Sequence, residues 1–272
     1  MSAIPFAQID AFASQPFEGN QACVMPLDQF FDDSTLQKIG AENNVAETAF
    51  IVPAGDGAWE LRWFTPTVEV PLCGHATLAA GHYLYAVDGY AGETVTFRTR
   101  QSGELFVSRL PDGRLEMDFP AQTIAPADPD PAITEALGAT PLRTFAGPCY
   151  IAEYETAADI EALAPDLDRL KTLGVSDGKW GVGNFGCFAL DGDGVDVTSR
   201  FFAPGSGIPE DPATGAWHCV VSPLIKHLTG RNQAKCFQAY PGRGALIETE
   251  LVGDRVKLRG QSVTVIEGTF RL

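Results

Sequence analysis

Two matching segments, RWFTP from Arg62 to Pro66 and RFFAP from Arg200 to Pro204, stand 138 residues apart in a chain of 272. Each leads through a Pro-rich turn to a glycine that opens an apolar stretch, Gly74 before HATLAAGHYLY and Gly215 before AWHCVVSPLIKHL. A motif repeated at half the chain length points to two similar halves, each aiming a helix N-terminus outward. Helix starts carry N–H groups without intrahelical acceptors and a partial positive charge, so two of them converging on one cleft would bind a small anion such as a carboxylate. The expected site therefore lies between the halves, with the backbones of Gly74, Gly215 and Ala216 as its substrate-binding groups.

The two apolar stretches also set the kind of half. From Ala76 to Val87, the side chains of Leu78, Ala79, Ala80, Tyr83, Leu84 and Tyr85 leave no polar face, and a helix without one is enclosed by protein. The second stretch behaves alike through Trp217, Val220, Val221, Leu224 and Ile225, with Pro223 expected to kink or shorten it. Around them run short segments rich in β-branched and aromatic residues and bounded by Gly, Pro or Asp, such as Ile4 to Phe12, Thr48 to Val52 and Trp59 to Phe64. Few other helices are expected: Ser34 to Asn44, with Ser34 and Gln37 in capping-box spacing, Pro131 to Leu137, and short helices between Ala157 and Leu173. The Pro-rich run Phe119 to Pro131 cannot pair continuously in a sheet and marks a boundary near the midpoint. The reading is an α+β fold of two similar domains, each a mostly antiparallel, barrel-like sheet around a central apolar helix. The halves are 1–120 and 121–272, with the last strand able to return to the first.

A formal net charge of −16, from 35 acidic against 19 basic residues, repels nucleic acid and anionic membranes, so neither is an expected partner. No apolar run reaches the ~18–20 residues of a membrane helix and no basic-then-apolar leader is present, so a cytoplasmic protein is expected. The six cysteines are scattered without a CxxC pair, and are expected reduced and buried. The histidines show no HExxH-type spacing and no glycine-rich nucleotide fingerprint stands out; neither a metal nor another cofactor is expected.

Four ordered blocks, IDAFASQPFEGN, NNVAETAFI, WFTPTVEVPLCGHATLA and FFAPGSGIPEDPATGA, make the chain resemble the PhzF-like (phenazine biosynthesis-like) proteins of the diaminopimelate-epimerase fold. The resemblance spans nearly the whole chain. It implies the same two-half fold, a homodimer, and a catalytic set of Glu47, His75 and Asp211 in the cleft. Taken by themselves, these residues also have ordinary readings: Glu47 as a surface residue at a helix–strand junction, His75 as a core histidine, Asp211 as the N-cap of the second helix. In the catalytic reading, Glu47 has apolar neighbours in Val45, Ala46, Ala49 and Phe50, and a buried carboxylate can take a proton from one carbon and return it to another. His75 follows Gly74 at a helix start, where the dipole disfavours imidazolium, so a neutral ring is expected.

Departures from the family pattern narrow the substrate. Phenazine-forming members have a serine immediately before the glutamate and another after the Thr-Gly of the last block, where this chain has Ala46 and Ala216. Losing two pocket hydroxyls argues against the phenazine precursor itself. The epimerase branch uses a cysteine at each helix start; Cys73 matches the first, but DPATG holds none. The leading expectation is a cofactor-independent isomerase moving a proton within a small carboxylate substrate. The alternatives are an amino-acid racemase or epimerase using Cys73 with a carboxylate, and a non-catalytic small-acid-binding scaffold.

Overall fold

A computed structural model describes residues 3–176 and 178–272, and the chain divides into two compact units, Met1–Asp118 with Arg259–Leu272, and Phe119–Leu258. The first unit contains β1 (Ala3–Ala11), β2 (Asn20–Pro26), α1 (Asp33–Asn43), β3 (Glu47–Pro53), β4 (Trp59–Phe64), β5 (Glu69–Val70), α2 (Gly74–His82), β6 (Thr94–Thr99), β7 (Glu104–Arg109) and β8 (Leu115–Pro120). The closing strand, Ser262–Arg271, returns to pair antiparallel with β1. The second unit contains β9 (Ala125–Ala127), α3 (Pro131–Leu137), β10 (Arg143–Ala146), β11 (Tyr150–Tyr154), α4 (Ala157–Ala162), α5 (Leu167–Leu170), β12 (Phe185–Ala189), β13 (Val197–Ala203), β14 (Ile208–Asp211), α6 (Gly215–Thr229), β15 (Gln233–Gln238), β16 (Ala245–Val252) and β17 (Arg255–Gly260).

The units share one pairing grammar. In the first, β1–β2 is antiparallel, β2–β3 parallel, β3–β4 and β4–β5 antiparallel, β4–β6 parallel and β6–β7 antiparallel. In the second, β10–β11, β11–β12, β12–β13, β13–β14, β13–β15 and β15–β16 follow the same order of antiparallel and parallel. The repeated arginines explain why the motif recurs. Arg62 on β4 forks onto Glu69 of β5 at 2.8 Å through both Nε and Nη2, and Arg200 on β13 forks onto Glu210 of β14 at 2.7 Å. Phe64 faces Glu69 across its ladder as Phe202 faces Glu210, so the two clamps sit in the same register. A buried guanidinium needs such a two-oxygen partner to offset its desolvation.

Each central helix is buried as its sequence requires. From His75 to Gly81 every residue of α2 is buried, packed on β1, β2, β3, β7 and the closing strand; the chain then continues as a π-helical turn over Tyr83–Val87. In α6, Trp217, Val220, Val221, Leu224 and Ile225 join a core with Phe145, Phe188 and Phe201. Burying side chains of this size stabilises by about 1.5–3 kcal/mol each. Pro223 does not shorten α6, which runs 15 residues from Gly215 to Thr229. The capping-box reading of α1 is also corrected: Asp32 is the N-cap, accepting from Thr35 N–H, while Gln37 donates to the Thr65 carbonyl. Asp32 wins because its carboxylate collects Ser34 and Thr35 hydroxyls as well. None of the described helices is long and apolar enough to cross a membrane.

Candidate active site

In the first unit, three strand or helix starts meet. Asn44, at φ 50 in the left-handed region, ends α1 and lets the chain turn so that Glu47 becomes the first residue of β3. Cys73 is the extended N-cap of α2, followed by Gly74 and His75 as its first two residues. Asn20 begins β2 directly after Gly19, where a Cβ would collide with the Ala11 carbonyl oxygen, so only glycine fits. The loop delivering Asn20 is tense: Phe12 and Phe17 have φ of 59 and 75. It is held by the Glu18 carboxylate, which accepts from Ser14 and Gln15, and by the Phe17 N–H donating to Asp10.

His75 is the hub. Its Nε2 lies 2.9 Å from Glu47 Oε2, and its Nδ1 lies 3.2 Å from Asn20 Nδ2 and 3.5 Å from Cys73 Sγ. Glu47 and His75 are 7% and 5% exposed. Although Nε2 and Oε2 are close, neither is in hydrogen-bonding geometry with a described partner, so both buried polar atoms are left for a third group to satisfy. Burial alone would lower the affinity of His75 for a proton. The facing Cys73 and Glu47 groups outweigh it and raise the His75 pKa well above the ordinary imidazole value. This corrects the expectation of a neutral ring: the helix-start field is weaker than a carboxylate at contact distance. With Nδ1 unprotonated, the Asn20 amide and the Cys73 thiol both donate to it; a proton there requires Asn20 to present its oxygen instead. Burial, reinforced by Glu47, pushes the Cys73 thiol up to about 11, so it rests as a thiol.

Glu47, Cys73 and His75 offer ligand atoms within 4.8 Å of one another, a spacing that could hold a metal ion. The ring orientation does not suit one. Cys73 faces Nδ1 and Glu47 faces Nε2, on different edges of the imidazole, so a single ion cannot use both contacts as they stand. The set is arranged as a chain of thiol, imidazole and carboxylate rather than as a chelate.

The second unit holds the other expected residues. Asp211 ends β14 and accepts from the Thr214 hydroxyl at 2.5 Å; it does not cap α6, whose N-cap is Thr214. Fully buried Gln238 braces this corner, accepting from Thr214 N–H at 2.8 Å and donating to the Asp211 carbonyl at 2.6 Å. Gly215 and Ala216 are the first two residues of α6, and neither α2 nor α6 has an acidic side chain in its first turn to compete for an anion. His218 donates Nδ1–H to the Thr214 carbonyl and burial lowers its pKa to about 4, a structural histidine. All six cysteines are buried and lie outside any disulfide. Sequence reasoning gave no role to Asn20 or Gln238; Asn20 lay inside the EGN of the first block, whereas nothing in the sequence signalled Gln238.

A family model described as phenazine biosynthesis-like protein (PhzC-PhzF) matches residues 9–268. An uncharacterized isomerase of Pseudomonas aeruginosa is 40% identical over 268 residues, covering 97% of this chain and 98% of its own. The phenazine biosynthesis-like domain-containing protein of Homo sapiens is 34% identical over 293 residues, covering 98% and 99%. Among solved structures, a PhzF-family phenazine biosynthesis protein of Enterococcus faecalis superposes with a TM-score of 0.93 at 32% identity over 100% of both chains. A hydroxyproline epimerase from Agrobacterium vitis, at 12% identity and a TM-score of 0.60 over 98% and 92% of the chains, shares the fold alone. These names support isomerase chemistry at the level of the family.

Proposed function

The chain belongs to the phenazine biosynthesis-like family, and from that premise we propose that it is a cofactor-independent isomerase that moves a proton within a small carboxylate. Glu47 takes the proton from a carbon next to an unsaturated or carbonyl centre and returns it elsewhere on the same face of the substrate. His75, charged by its contact with Glu47, donates to the oxygen or π system on which charge develops. In the first unit the backbone N–H of Gly74 receives the carboxylate; the substrate roles of Gly215, Ala216 and Asp211 in the second unit rest on their place in the sequence motif. The observation that carries this reading is the buried Glu47–His75 contact at 2.9 Å, whose facing atoms lack partners in hydrogen-bonding geometry.

The racemase alternative keeps one point in its favour, the Cys73 sulfur 3.5 Å from His75 Nδ1. A thiol raised to about 11 is a poor resting base, which favours the carboxylate as proton carrier. The test is a panel of unsaturated, hydroxy and amino carboxylates incubated in D2O and followed by proton NMR. Isomerisation is expected with wild type and with Cys73→Ser, and Glu47→Gln should lower kcat at least about a hundredfold. Retention by Glu47→Gln of more than about a tenth of kcat, a change under about 1.4 kcal/mol in the barrier, would remove Glu47 from the mechanism. Loss of label exchange in Cys73→Ser alone would transfer the assignment to the thiol.

A further inference from the structure

Three elements of the first unit run in the same sense away from the Glu47–His75 contact. From Asn20 β2 reaches Pro26, from Glu47 β3 reaches Pro53, and from Gly74 the central helix and its π turn reach Tyr83–Val87. Seven strand residues at ~3.3 Å each place their far ends roughly 20 Å from the dyad. At that end lies a pocket of about 550 Å³, lined in part by Leu27, Asp28, Phe31, Trp59, Tyr83 and Asp88. Its size is that of a small-molecule site, and polar and apolar groups share its wall about equally.

Three features of this wall point to one class of ligand. Tyr83 is 5% exposed and lines the pocket, and its hydroxyl, which makes no hydrogen bond among the described residues, opens onto the pocket instead of being sealed in protein. Asp28 and Asp88 are exposed at the rim, and neither forms an ion pair among the described residues. Phe31, Trp59 and Tyr83 supply aromatic rings to the same wall. Burial, with the added negative charge of Asp88 and Glu267, raises the Tyr83 pKa, which reports a negative local potential. The chain's net charge of −16 steers cations toward such a pocket and anions away from it.

We propose that this pocket binds an organic ammonium ion with a short apolar body, separate from the site that carries the isomerase chemistry. The aromatic rings take the alkylated cation by cation–π attraction, Asp28 and Asp88 balance its charge, and the Tyr83 oxygen accepts a hydrogen bond or meets a polarised C–H. The proposal does not depend on the proton-transfer reading, because none of its residues belongs to the dyad.

Calorimetric titration of the full chain with choline at low ionic strength tests it, with 3,3-dimethyl-1-butanol as the neutral isostere. Saturable choline binding is expected, with the neutral isostere at least about tenfold weaker. Trp59→Leu and Asp88→Asn should each weaken choline about threefold or more, and Glu47→Gln should leave it unchanged. Asp88 is exposed, so its variant tests the site even if Trp59→Leu fails to fold. Absence of saturable binding, equal binding of choline and its isostere, or loss in Glu47→Gln with retention in Asp88→Asn would overturn the assignment.

Discussion

Replacing Glu47 with glutamine should flatten the pH dependence of stability, and the sign follows from the surroundings of His75. Burial opposes a charged ring, but Cys73 and Glu47 outweigh it, so the folded chain holds the His75 proton more tightly than the unfolded chain does. A group with a raised folded pKa contributes stability in full below its unfolded value and loses that contribution as pH rises through the folded value. Between the ordinary imidazole value and the raised one, wild-type stability therefore falls with pH, by at most about 1.4 kcal/mol per unit for one proton. The substituted amide keeps the shape of the carboxylate and offers Nε2–H an oxygen, but no charge. At the acid end of the window the exchange leaves a buried charge without its partner, a loss of about 3–5 kcal/mol in comparable pairs. Above the raised value the ring is neutral, and the cost shrinks to the difference between a carboxylate and an amide beside it, about 1 kcal/mol. Urea unfolding at unit steps of pH reads this directly; with an m-value of about 3 kcal/mol/M the acid-side loss moves the midpoint by about 1 M. His75→Asn and the double variant complete the cycle, and the coupling should decay with rising pH. A Glu47→Gln cost that is constant across the window, or grows with pH, would refute a charged His75 held by this carboxylate.

Gly186→Ala should destabilise the second unit by about 2–4 kcal/mol, because the new Cβ would run into Cζ3 of fully buried Trp217, on the first turn of α6; an unchanged Tm would show that the indole can move. Arg200→Met should cost more than Arg62→Met. Arg200 also donates to the carbonyls of Ile160, Glu161 and Leu163, and its partner Glu210 is 12% exposed, whereas Arg62 shares its charge with Asp33, which is 65% exposed. Denaturant unfolding of the two variants checks the order, and equal losses would contradict it.

The two-half architecture was legible in the sequence because its signals are local: a duplicated Arg-aromatic-Pro segment, two helices without a polar face, and strands short enough to read by composition. What escaped depends on partners remote in sequence. Asn20 reaches His75 across 55 residues, and no periodicity records such a contact. The charge state of His75 was misread for the same reason, since the helix start is visible in the sequence and the distance to Glu47 is not. Asp32 displaced Ser34 as a cap because a DDST run offers several caps and only the three-dimensional count of donors selects one.

Chemistry departs from the repeat at definite positions. The register that aligns Phe64 with Phe202 aligns Thr48 with Phe185, and hence Glu47 with Asn184. Asn184 is fully engaged in its own loop, donating to the Trp180 and Val182 carbonyls and accepting from Ser206. At the helix starts, Thr214 and Ala216 stand where the first unit has Cys73 and His75. The arginine clamps occur in both units because both must hold β4–β5 and β13–β14 in place. The thiol, imidazole and carboxylate occur together in one, so the duplicated residues maintain the architecture, and the proton transfer is assigned to the unduplicated carboxylate and imidazole.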